Sequence, residues 1–472
     1  MAKNSAGRFA HSREEFVIDA DLSTYKNKRV LLLQGPIGPF FRRLAGDLKR
    51  AGAADVVKID FNGGDWLFSP KGSIQFRGRM AEWADFLDRV LSERQIDTVL
   101  LFGDCRPVHR IAHRVADKRG VTIGVFEEGY IRPNYVTLEL FGVNGHSTIP
   151  RIPEAYLEAP KVEEVESVSV GNSLWFAVMW CMMYYEASIL LRPFYRHYTH
   201  HRPLNFNESW PWLRSVWRKQ LYKLQEKGIQ EELVEKFSGN YFLVPLQVHN
   251  DAQLLVHSSF TSVQAFIFEV LTSFAKHAPQ DTLLVIKQHP LDRGYRNYSD
   301  YVATLAAQYH LGNRVRYIHD QHLPTLLEHA RGVVVVNSTV GLSALHHGTP
   351  TKVCGEAIYD LKGLTFQGRL HAFWKHAAEL VVDAELYIRF RSYLVSHTQL
   401  NGNFYRRLTV ANSEAGLVWP SVNQAVAAQV AVEAAVVRDL YLRSPSSPIP
   451  ATSSAPASED VPLHDVYVEQ HS

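Results

Sequence analysis

Short apolar runs alternate with amphipathic stretches in two separate blocks of the chain. From Arg29 to Phe126 the runs RVLLLQ, DVVKIDF, DTVLLFG and VTIGVF are separated by helical patterns, the alternation that βαβ units and a parallel sheet produce. One intervening helix is explicit: Met80, Trp83, Leu87, Val90 and Leu91 recur at helical spacing, with Glu82, Asp85 and Arg89 pointing elsewhere. The alternation restarts at YFLVPLQV (241–248), continues through TLLVIKQ, RVRYIHD and GVVVVNS, and closes near TKVCG. There the stretch from Ser262 to Ala275 sets Val263, Phe266, Ile267, Val270, Leu271 and Phe274 on one core-facing stripe. The pattern predicts an α/β fold of two Rossmann-like domains, 28–164 and 236–420, joined by a helical aromatic segment over 165–235. Around them it predicts an N-terminal extension (1–27), an Ala/Val-rich helix (421–442) and a Ser/Pro/Ala-rich disordered tail (443–472).

Composition narrows the classes of function. At 472 residues and 46% hydrophobic content the chain can bury more than one core. A net charge of +2, from 50 basic and 48 acidic residues, provides no global field to favour nucleic acid as partner. Cys105, Cys181 and Cys354 lie far apart without a CxxC pair, which fits a reduced compartment and argues against structural zinc. Lys3, Arg8, Arg13, Glu14 and Glu15 precede any apolar run, so no secretory signal core is expected and a cytoplasmic location is. LWFAVMWCMMYY (174–185) is 12 residues long before Glu186, short of the roughly 20 that span a bilayer, and reads as a core or an interfacial helix. From Arg192 to Lys227 eight Lys/Arg stand against two acidic residues, interleaved with Phe194, Tyr195, Tyr198, Trp210, Trp212, Trp217 and Tyr222. Such a segment either docks on an anionic membrane surface or packs its aromatics inward between domains.

Open α/β sheets bind ligands beyond the carboxyl ends of their strands, and the polar residues here concentrate at those positions. Gly35 and Gly38 in GPIG, Asn62 in FNGGD, Glu127 and Glu128 in FEEGYIRP, Asp251 in QVHNDAQ, and Lys287, His289 and Pro290 in VIKQHPLDRG all follow an apolar run. Proline restricts its own φ and the residue before it, so His289 should be held extended at the strand exit. Asn337, Ser338 and Thr339 precede a helical pattern that opens with Gly341. Hydroxyls and free N–H groups at such a helix start suit a phosphate, although an ordinary N-cap uses the same residues. One of 22 histidines, His289 taken singly could be a satisfied loop residue. Glu127 and Glu128 can be a solvated pair or an acid/base, with Arg132 near enough to attract an anion. Asp251 can be a turn residue or a nucleophile. No DxD pair and no His/Asp cluster with metal-ligand spacing is visible, so no metal is expected.

Read together, LLLQGPIGPFFRRLA, FNGGD, FGDCRPVHR, FEEGYIRP, LQVHNDAQ, IKQHPLDRG, VNSTVGLSALHHGTPTKV and YDLKGLTFQG resemble the capsule polysaccharide Kdo-transferase family, KpsS type, over about residues 28 to 410. The resemblance implies the glycosyltransferase B (GT-B) arrangement and transfer of one β-Kdo from CMP-Kdo to phosphatidylglycerol at the inner membrane's anionic cytoplasmic face. KpsC-type transferases and the capsule export machinery are the implied partners. It makes Glu127 or Glu128 the acid/base, sets His289 of the His-Pro motif on the CMP phosphate with Ser338 and Thr339, and matches Asp251 to the nucleophile of related retaining enzymes. The KpsC relatives carry acidic residues just before that aspartate, where this chain has His249 and Asn250. Two rivals are a non-catalytic adaptor between capsule synthesis and export, and an inverting CMP-sialic acid transferase.

Overall fold

A computed structural model describes residues 22–159, 167–199, 209–409, 411 and 413–419. Six strands in the first half of the chain alternate with helices: β1 (Arg29–Leu32), β2 (Asp55–Asp60), β3 (Ile74–Gln75), β4 (Thr98–Phe102), β5 (Thr122–Glu128) and β6 (Tyr135–Leu140). Five more follow in the second half: β7 (Tyr241–Pro245), β8 (Leu283–Lys287), β9 (Val315–Ile318), β10 (Gly332–Val335) and β11 (Thr351–Val353). A short β12 (Gln399–Asn401) comes last. The first sheet runs β12-β6-β5-β4-β1-β2-β3 and the second β11-β10-β7-β8-β9. The second is parallel throughout; in the first, β6 and β12 alone are antiparallel to their neighbours. Two Rossmann-like domains in the GT-B arrangement result.

The apolar periodicity explains this directly. Strands such as β7 and β8 are buried at every position, because helices cover both faces of a parallel sheet. The helix Val263–His277 buries all six residues of its predicted stripe, and the Ser262 side chain caps it by accepting from the Ala265 N–H. In the first domain Trp83, Leu87, Val90 and Leu91 are buried on the helix Trp83–Glu93. Met80 is not: it sits in the preceding 3-10 turn, which breaks the helical phase and leaves it exposed.

The domain boundary at residue 420 needs correction. The helix Ala384–His397 leads the chain out of the second domain, and β12 then pairs with β6 in the first sheet. Gln399 there accepts from the Tyr130 N–H at 3.0 Å and donates to Thr137 Oγ1 at 3.0 Å. Buried Asp47 accepts the Glu414 and Ala415 N–H groups at 2.6 and 2.7 Å. The returning segment therefore belongs to the first domain, bonded to β6 and to the loop that follows Glu127 and Glu128 at the end of β5. The predicted extension (apart from 22–27), terminal helix and tail lie outside the described residues.

The linking segment divides between the domains. The helix Leu174–Leu190 packs on the first domain around buried Tyr184 and Ser188, and exposes Leu174, Trp175, Met182 and Leu190. Helix Ser209–Gln225 docks on the second, where Arg214 Nε and Arg218 Nη1 donate to the carbonyls of Gly294 (2.7 Å) and Arg293 (2.9 Å). Glu226 behind it binds His319. Tyr195 and Tyr222 are buried, whereas Phe194, Trp210, Leu213, Val216, Trp217 and Leu224 are exposed. No helix among the described residues is long and apolar enough to cross a membrane.

Candidate active site

The loops after β7, β8 and β10 are bonded to one another. Gln247 Nε2 donates to Asp251 Oδ2 at 2.9 Å and to Asn337 Oδ1 at 3.0 Å, joining the first loop to the third. Asn337 Nδ2 donates in turn to the Gln253 and His257 carbonyls. Asp292, buried at the end of His-Pro-Leu-Asp, accepts from the His249 N–H at 2.8 Å and from His249 Nδ1 at 2.6 Å. These cross-links hold the second domain's strand ends in one rigid rim.

His289 stands on that rim as the cap of the 3-10 turn Pro290–Asp292, with extended backbone (φ −71°, ψ 132°) as its proline neighbour predicts. Nδ1 accepts the Leu291 N–H at 3.1 Å, which leaves the ring hydrogen on Nε2 as a donor. Burial, then Lys287, then Arg132 push the imidazole down to about 4. Arg132 comes from the first domain, so a guanidinium of one domain approaches a neutral imidazole donor of the other at this point.

Lys287 itself does not line the rim: its ammonium is buried and donates to the His319 carbonyl at 2.7 Å. Asp251 caps the short helix Ala252–Val256, its Oδ1 accepting from the Gln253 N–H at 2.9 Å while Oδ2 takes Gln247. Ser338 Oγ accepts from the Val340 N–H at 3.3 Å, and Thr339 makes no capping bond. Gly341 serves packing, because a Cβ there would collide with the Tyr359 ring.

Across the cleft, β5 ends in the two carboxylates, and strand alternation sends them to opposite faces. Glu128 Oε1 accepts from the Tyr405 hydroxyl at 3.3 Å on the returning segment. Glu127 lies towards the turn after β4, beside Gly103, Asp104 and Arg106. Although part of its surface stays open, dense surroundings desolvate the carboxyl and raise it to about 7, with Glu128 and Asp104 adding repulsion against the Glu128 N–H and Arg106. A group near neutrality can both take and return a proton. Sequence spacing alone gives no such ground for choosing Glu127.

Three first-domain residues expected to touch substrate have structural work instead. Gly35 lies against the Phe41 ring and Gly38, at φ +116°, against Trp180. Asn62 is 2% exposed and fully bonded: Oδ1 accepts from the Asp65 N–H and the Ser188 hydroxyl, and Nδ2 donates to Asp65 Oδ2 and the Tyr184 hydroxyl. A Cβ on Gly63 or Gly64 would run into Ala187 or Tyr184. The glycines therefore admit the helix Leu174–Leu190, and Asn62 fastens it.

A further group escapes any reading by spacing. Asp104, Cys105, His146 and His257 meet between the domains, each with a donor atom within 4.8 Å of the other three. No spacing in the sequence shows this group: 152 residues separate Cys105 from His257 in the chain, and the fold alone joins them.

The model of the family described as "Capsule polysaccharide biosynthesis protein" matches residues 97–405. The Escherichia coli "Capsule polysaccharide export protein KpsS" is 41% identical over 387 residues, covering 80% of this chain and 97% of that one. The Neisseria meningitidis serogroup A "Capsule polysaccharide modification protein LipB" is 40% identical over 395 residues, covering 82% and 93%. Among solved structures, "Thermosulfurimonas dismutans KpsC, beta Kdo 2,7 transferase" matches at 14% identity and a TM-score of 0.38, covering 87% and 99%. The chain belongs to the capsule polysaccharide biosynthesis protein family.

Proposed function

We propose that this protein moves a single β-Kdo from CMP-Kdo to phosphatidylglycerol with net retention of configuration. The observation that carries the reading is the approach of first-domain Arg132 to second-domain His289, which makes a locally cationic position on the cleft. A departing cytidylate needs such a position, and Ser338 and Thr339 hydroxyls with the helix start beside them would complete it. Protein groups then neutralise the leaving phosphate with no metal bridging it. Asp251, aligned by Gln247 and the Gln253 N–H, attacks the anomeric carbon as the bond to the phosphate oxygen breaks and CMP leaves with the electron pair. Glu127 next takes the proton of the lipid hydroxyl, whose oxygen displaces Asp251. Two inversions leave the configuration retained.

Exposed Trp210, Leu213, Trp217 and Leu224, with Lys219 and Lys223 on the same helix, support peripheral docking on an anionic inner-membrane surface where that lipid resides. The deciding experiment incubates the purified protein with CMP-Kdo and a fluorescent phosphatidylglycerol and solves the product linkage by NMR. A β-linked Kdo-lipid is expected. CMP release without transfer, an α-linkage or no reaction would overturn the proposal, the last favouring an adaptor.

A further inference from the structure

We infer that Asp104, Cys105, His146 and His257 form a tetrahedral zinc site that fastens the two domains together. Asp104 and Cys105 lie in the turn after β4, His146 ends the 3-10 turn Asn144–His146, and His257 follows the helix Ala252–Val256 of the second domain. Cys105 Sγ is 3.4 Å from His257 Nε2 and 3.2 Å from Asp104 Oδ1, and His146 Nδ1 is 3.0 Å from Asp104 Oδ2. Zinc bonds of about 2.0 to 2.3 Å set tetrahedral ligand atoms roughly 3.3 to 3.8 Å apart, so small side-chain movements would seat the ion. One thiolate, two imidazoles and one carboxylate are a donor set that selects zinc over magnesium or calcium.

The surroundings are those of a ligand shell. His257 turns Nε2 to Cys105 and Nδ1 to the Glu356 carboxylate at 3.8 Å, the outer-sphere carboxylate that orients many metal-bound histidines. Asp104 Oδ2 also accepts the Val143 N–H at 3.1 Å. A Cβ at residue 145 would collide with the His257 ring, so Gly145 is needed for His257 to enter. Asp104, Cys105 and His257 are buried, whereas ring surface on His146 remains open at 26%, an entry path for the ion. Binding would release the thiol proton and hold the turn that flanks Glu127 against the second domain. This inference is independent of which sugar or lipid the protein uses.

The test uses the full chain purified without a histidine tag and dialysed against metal-free buffer. Elemental analysis should find about one zinc per chain, falling to near zero in Cys105→Ser and His257→Ala. Cobalt exchanged into the wild type should show a thiolate charge-transfer band and intense tetrahedral d–d bands, the former absent in Cys105→Ser. Glu356→Gln should weaken zinc affinity by about 10- to 100-fold without removing the site. Wild-type protein that neither retains zinc nor shows the thiolate band on cobalt addition would overturn the inference, as would unchanged zinc content in both ligand variants. The wild-type cobalt spectrum decides even if a variant fails to fold.

Discussion

The loop after β2 and the loops after β7, β8 and β10 carry the same kinds of residue at the same kind of place, yet they are used in opposite ways. Asn62, Gly63, Gly64 and Asp65 receive a helix of their own chain, and every hydrogen-bonding position on the Asn62 amide is taken. On the second domain, Gln247, Asp292 and Asn337 bind the loops to each other. His289 keeps a donor nitrogen and Thr339 a hydroxyl that caps nothing. A position beyond the end of a parallel strand guarantees a place where something binds. Whether a ligand or a protein element fills it depends on how far the polar groups there are already saturated.

The sharpest way to break this comparison is Asp251→Asn. Asparagine caps a helix as well as aspartate does, so the short helix Ala252–Val256 should be kept, with stability lowered by about 1 kcal/mol for the lost bond from Gln247 to Oδ2. Loss of the nucleophile should lower kcat by on the order of 10⁴-fold. Full activity in this variant would make Asp251 a cap and nothing more, the second domain's counterpart of Asn62.

Glu127→Gln comes next, with an expected loss of about 10² to 10⁴ in kcat. The wild type supplies a second signature. On the proposed mechanism the basic form of Glu127 does the work, and since its carboxyl is raised to about 7, kcat/KM for the acceptor should rise from about pH 6 to about pH 8 and then level. The variant should lose that rise; a Glu128→Gln variant should keep it. His289→Ala should cost about 10² to 10³ in kcat through the lost donor to the leaving phosphate, with thermal stability preserved because the imidazole supports a single turn.

Legibility in the sequence follows the same division. The parallel strands β1, β2, β4, β5 and β7 to β11 were readable because strands buried on two faces give continuous apolar runs, whereas β3 and the antiparallel β6 lie outside those runs. β12 was not: three residues, QLN, show no period, and their place is set by pairing with β6. His289 was visible because proline constrains its neighbour locally. Glu127 could be told from Glu128 only once strand alternation and the burial of its surroundings were known. The role of Asn62 depends on Tyr184 and Ser188, 122 and 126 residues away. The Asp104–His257 cluster draws on three loops from two domains, and no spacing rule reaches so far.

Asn62→Ala should produce the smallest effect and the most informative contrast. It removes two donors and one doubly used acceptor from a buried site, leaving the Asp65 N–H without its acceptor and taking one bond each from the Tyr184 hydroxyl, the Ser188 hydroxyl and the Asp65 carboxylate, which keep others. Unpaired buried polar groups cost about 1 to 3 kcal/mol, so denaturant melts should show a loss of that size. In the folded protein kcat should remain within about twofold of wild type, because nothing in the cleft is removed. Ser188→Ala, made on the helix side, should destabilise by a similar mechanism and combine non-additively with Asn62→Ala, since both lose one shared bond. A large fall in kcat with stability intact would return Asn62 to the substrate, and the filled loop would have to be an open one.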